Sequence, residues 1–175
     1  VFLLIFLMQY TASTFLAGEI AQGLVATRGW GTLHVLPAVF AYTALAFAAI
    51  YAALYLIGQR NLKHHNFGLL FDRLPPLDLL GRMSFQALMV GFAFMTATMI
   101  TGGALFHRYG SGGGTLPMEP KLLAKIIIGS AAWIICAVDV FGKYVLKWSI
   151  ARVASIALAG FLIIAALFVT SFALS

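Results

Sequence analysis

The stretch LHVLPAVFAYTALAFAAIYAALYL, residues 33–56, holds no Lys, Arg, Asp or Glu. Wound as a helix, such a run is long enough to cross a hydrocarbon core roughly 30 Å thick. A second stretch, SFQALMVGFAFMTATMITGGALF at residues 84–106, has the same character, and a polar connection joins the two. His34 sits at the start of the first stretch and His107 just past the end of the second. If both stretches cross a bilayer as an antiparallel pair, the two histidines emerge on the same side.

The rest of the chain agrees with a membrane reading. Of 175 residues, 62% are hydrophobic and 9% charged, with a mean hydropathy of +1.00. A water-soluble domain of this length could not carry that much apolar surface. Apolar runs near helical spanning length recur, and the period-2 alternation of an outer-membrane barrel is absent. The expected fold is therefore all-α: a polytopic transmembrane bundle of about five helices, forming one domain over residues 1–175. The five segments are Val1 to about Ala17, Leu33 to about Ile57, about Arg82 to Leu105, a stretch from after Pro120 to about Phe141, and one from after Arg152 to Phe172. Pro37 falls in the first turn of the second segment, where its missing N–H costs little. The chain opens at Val1, already inside apolar sequence, and reads as the C-terminal part of a longer protein.

Positive charge orients the bundle. Arg60, Lys63, Arg73, Arg82, Lys143, Lys147 and Arg152 fall on one face, and Arg28, Arg108, Lys121 and Lys125 on the other. The positive-inside rule puts the first face in the cytoplasm of a bacterial inner membrane, with His34, His107 and the Gly-rich loop at Gly110 to Gly114 outside. Small residues are dense in the last three segments, where they let helix backbones approach closely.

Few side chains could carry chemistry. Two imidazoles at helix ends facing one compartment can supply an axial pair to haem iron. His34 and His107 meet that requirement, with Gly102, Gly103, Phe40, Tyr42 and Phe106 nearby to make room and line the walls. The bland alternative is that both sit among headgroups. His64 and His65 are adjacent, point apart on any regular element, and read as solvated loop. Cys136 reads as a small buried hydrophobe. Asp139 lies four residues before Lys143, which predicts an ion pair or snorkelling. The Gly-rich loop lacks the lysine and threonine of a phosphate-binding loop. A pump or proton-coupled transporter needs several ionisable groups at mid-depth, and the sequence lacks them. No nucleic-acid partner is expected.

Several short motifs occur in a telling order: Leu33-His34-Val35 followed by Tyr42, Leu74-Pro75-Pro76-Leu77, Gly91-Phe92, Thr101-Gly102, Met118-Glu119-Pro120-Lys121 and Ala131-Ala132-Trp133. Together they resemble the cytochrome c assembly family, the group of CcsA, CcmC and HemX-like haem-handling membrane proteins. The resemblance runs from about Leu33 to Phe172. It implies that His34, matching the histidine of the family's Leu-His-Val opening, is an external ligand of haem b, with a c-type cytochrome as a possible partner on the outer side. Synthases of the family carry a tryptophan-rich loop ending in Trp-Asp-Pro-Lys. Here the corresponding loop, Gly110 to Lys121, has no tryptophan and keeps only Glu119-Pro120-Lys121. The position near Phe141, where synthases tend to have a histidine, also departs. The resemblance is nearest the HemX or YpjD type. It implies a protein that binds or handles haem without being a competent cytochrome c synthase. The alternative from another class is a cofactor-free accessory subunit, packed among other membrane protein subunits of a respiratory or photosynthetic complex.

Overall fold

A computed structural model describes residues 30–64, 75–110 and 120–173 of the chain. They form four helices with no strand among them: α1 (Trp30–Lys63), α2 (Leu77–Gly110), α3 (Pro120–Tyr144) and α4 (Ile150–Ala173). All four contain stretches long and apolar enough to cross a membrane. The expected first segment, Val1 to about Ala17, lies outside the described residues, as do His65 and the loop from 111 to 119.

The helices overrun the apolar runs that define them. The 34 residues of α1 rise about 50 Å, well beyond a hydrocarbon core of about 30 Å. The excess is polar: Gln59, Arg60, Asn61 and Lys63 continue the helix past Gly58, where the sequence had placed its end. In α2 the extra turn lies at the start, directly after Pro75 and Pro76. Asp78 in that turn favours the positive end of the helix dipole and pairs with Arg82 at 2.9 Å. Pro37 is also displaced from its expected place. Since α1 begins at Trp30, Pro37 lies inside the helix, and the carbonyl of Leu33 loses its regular i+4 donor.

Buried residues trace one stripe on each helix at the three-to-four-residue spacing of an inward face. On α1 the stripe is Ala41, Leu45, Ala48 and Ala52; on α2 it is Leu80, Ser84, Leu88, Gly91, Met95 and Thr98. On α3 it is Gly129, Ala132, Cys136, Asp139 and Gly142, and on α4 Val153, Ala157 and Gly160. Outside these stripes large apolar side chains such as Ile127, Ile134, Phe141, Leu162 and Ile163 face outward, as lipid requires.

The closest pairing is α1 with α2, and it is antiparallel in constant register. His34 lies beside Thr98 and Thr101. A Cβ on Gly91 would meet Leu45 Cδ2 at 2.8 Å. The Ser84 hydroxyl donates to the Ala48 carbonyl at 3.0 Å, and Gly81 lies against Tyr55. Each step along α1 is matched by an equal step back along α2. Across the bundle, Trp133 of α3 donates from Nε1 to Thr96 Oγ1 at 3.0 Å and stacks on Phe92 with ring centroids 5.8 Å apart. The turn from α3 to α4 closes when the Trp148 N–H donates to the Gly142 carbonyl at 3.0 Å. The Trp148 ring lies where a side chain on residue 142 would stand. Lys147 takes φ 50° within that turn.

Candidate functional site: a histidine niche at one end of the bundle

The niche is built from the first turns of α1 and the last turns of α2. Gly102 has no Cβ, and one placed there would come within 2.9 Å of His34 Cε1 and 3.3 Å of Nδ1. The Cε1–Nδ1 edge of the imidazole therefore packs against α2 at Gly102, and the residue is partly buried. Its Nδ1 is 3.1 Å from the Thr98 carbonyl oxygen and 3.2 Å from Thr101 Oγ1.

Those two contacts favour one tautomer. A carbonyl oxygen can only accept, so Nδ1 carries the hydrogen and donates it to Thr98. The Thr101 hydroxyl points its own hydrogen at the carbonyls of Ala97, 2.9 Å away, and Thr98, 3.1 Å away. Thr101 Oγ1 is thus left to accept from the same Nδ1–H. In a neutral imidazole the other nitrogen, Nε2, then holds the lone pair. Proteins orient a histidine that binds a metal in this way, with one ring nitrogen tied to a backbone carbonyl and the lone pair left on the other.

His107 occupies the same end of the bundle but a different side of α2. It lies five residues beyond Gly102, which is about 8 Å further along the axis and about 140° around it. Its side chain faces outward. The α1–α2 seam therefore holds His34, and His107 stands on the adjoining surface. Gly103 faces open space, with nothing within 4 Å of a Cβ built there. Phe40 faces outward and stacks on Phe94 with centroids 5.4 Å apart. Phe106 also faces outward. Tyr42, expected near the histidines, instead lines a cavity deeper in the bundle with Cys136 and Asp139. Among the described residues, no three His, Cys, Asp or Glu side chains gather as a metal cluster. A haem iron needs only axial imidazoles from the protein.

The other expected polar residues divide. His64 is exposed in the turn that ends α1. Cys136 is buried and free. Asp139 makes no ion pair with Lys143, contrary to its spacing: the residue is 0% exposed and neither carboxylate oxygen has a hydrogen-bond partner. The reason is the inward stripe of α3, which carries Asp139 into the bundle centre. Lys143, one turn later, lies in a separate recess beside Gly81, Ser84 and Phe85.

Fold and niche together define a multi-pass helical membrane protein that presents one pre-oriented histidine at a bundle end. The profile of the cytochrome c assembly protein family matches residues 1–174, and the chain belongs to that family. No curated protein and no solved structure gives a significant match. The family motifs occupy contact points: Gly91 and Phe92 meet Leu45 and Trp133, and Thr101 and Gly102 form the His34 niche.

Proposed function

We propose that this member of the family binds haem b at the end of the bundle formed by the start of α1 and the end of α2, with His34 Nε2 as an axial ligand. The observation that carries the reading is the Nδ1–H···O=C bond from His34 to Thr98, which holds the ring in the tautomer an iron ligand needs. His107, at the same bundle end, is the candidate for the second axial position. When bound, haem would supply a redox-active iron and a planar apolar surface; the chain's own residues hold and orient the imidazole and keep its Nδ1 side dry. The seven-to-four distribution of Lys and Arg supports placing this end on the outer side of a bacterial inner membrane. A c-type cytochrome is then the natural partner class in that compartment.

The same reading makes the protein a holder of haem rather than a synthase. Residues 110–121 contain no tryptophan to present the macrocycle to an apocytochrome. The visible spectrum of the protein purified after haem-replete expression tests this. A Soret band is expected in wild type and lost in His34→Ala. If His107 ligates the same iron, His107→Ala converts a low-spin six-coordinate spectrum to a high-spin one. A haem-free spectrum together with co-purification in a defined complex would favour the scaffold-subunit reading instead.

A further inference from the structure

Among the described residues, the buried side-chain nitrogen and oxygen atoms have hydrogen-bond partners, with one exception. The hydroxyls of Thr43, Thr96, Thr98, Thr101 and Ser155 donate to carbonyls of their own helices. Ser84 and Trp133 reach across to neighbouring helices. Asp139 alone is fully buried with both side-chain oxygens unpartnered. It lies five positions before Tyr144 at the end of α3, about 7 Å inside the helix end. A cavity with room for about one water molecule adjoins it. The groups around this cavity are sparse in charge. Tyr42 is the titratable group from α1, and Cys136 joins Asp139 from α3. The lining from α2 is Leu88, and the lining from α4 is Ala157, Gly160, Phe161 and Ile164, with no titratable group. Lys143 faces the other recess.

An ionised carboxylate in such surroundings, with no cation among the described lining residues and no hydrogen bond made to it, is costly, whereas a neutral carboxylic acid needs only a hydrogen-bond partner. One water in the adjoining cavity can supply that partner. The remaining polar lining groups, the Tyr42 hydroxyl and the Cys136 thiol, can both donate and accept. From the orphaned carboxyl and the water-sized cavity beside it, we infer that Asp139 is an internal proton-binding site, holding a proton inside the membrane and exchanging it through a single bound water. The site is independent of the histidine niche and of whether haem binds there. A lone site of this kind stores a proton and does not form a path across the bilayer.

Infrared spectroscopy of the full chain in lipid, with and without ¹³C-aspartate, reads the proton directly. The sequence holds three aspartates, Asp72, Asp78 and Asp139. Of the described pair, Asp78 is exposed and bound to Arg82. The expected result at neutral pH is a protonated-carboxyl C=O band that moves on ¹³C labelling, shifts slowly in heavy water and vanishes in Asp139→Asn. The isotope arm needs no variant, and where Asp139→Asn folds poorly carbodiimide labelling assigns the proton to Asp139 rather than Asp72. In parallel, dicyclohexylcarbodiimide, which enters lipid and adds to neutral carboxyl groups, is expected to modify Asp139, and a water-soluble carbodiimide is not. An aspartate spectrum containing only the ionised carboxylate bands overturns the inference, as does equal labelling of Asp139 by the water-soluble reagent.

Discussion

One end of this bundle and its centre treat a polar side chain in opposite ways. At one end the Nδ1 side of His34 is provided for: a glycine clears its ring, a carbonyl takes its Nδ1 hydrogen, and a threonine hydroxyl turns its lone pair to the same hydrogen. Toward the bundle centre Asp139 is more deeply buried and neither carboxylate oxygen has a hydrogen-bond partner. A satisfied group is held in one orientation, and a group left unsatisfied in lipid is retained at a cost in stability. The first pattern suits a ligand that must point one way. The second suits a group whose protonation is itself the function.

The largest way to break the contrast is to fill the His34 niche. Gly102→Leu forces a side chain into space the imidazole occupies. Overpacking of this kind costs about 1–3 kcal/mol, and expulsion of the ring should remove the Soret band altogether. Detergent unfolding followed by circular dichroism, with spectra of the same samples, checks both. The contrast itself is sharpened by a pair of leucines. His34→Leu abandons the Thr98 and Thr101 contacts and should destabilise by about 1 kcal/mol. Asp139→Leu replaces an orphaned polar group with an apolar one and should raise stability by about 1–3 kcal/mol. Equal effects of the same sign would erase the distinction between the two sites.

Smaller effects test the frame that holds them apart. Trp133→Phe keeps the stack on Phe92 but removes the donor to Thr96, which should cost about 1 kcal/mol without touching either site. Lys147→Gly relieves a left-handed backbone at φ 50° in the α3–α4 turn. The gain should be about 1 kcal/mol less the entropy that glycine adds to the unfolded chain, seen as a slight rise in the unfolding midpoint and an unchanged haem spectrum.

The membrane spans were legible in the sequence because lipid demands an uninterrupted apolar run, and residues 33–56 and 84–106 supply one each. Their ends were not. Helical hydrogen bonding continues through Gln59 to Lys63 and begins already at Leu77, since polar residues outside the core can stay helical. His34 could be singled out from its Leu-His-Val setting. Its partners Thr98 and Thr101 could not, because the register of α1 against α2 is set by packing at Gly91 and Gly81 far from the histidine. Asp139 misled for a related reason. Spacing to Lys143 is a local signal, whereas the turn of the whole α3 stripe toward the bundle centre is a tertiary one, and the tertiary one decides where the carboxyl points. Tyr42 was drawn to the histidines by sequence proximity and faces the cavity of Asp139 instead.

The proposed function rests on His34 binding haem iron through Nε2. The visible spectrum of haem-replete protein tests it most directly, with wild type, His34→Ala and Asp139→Asn prepared side by side. A Soret band is expected in wild type, lost in His34→Ala and retained in Asp139→Asn. A wild-type protein without a Soret band, or a His34→Ala protein that keeps it unchanged, would contradict the claim.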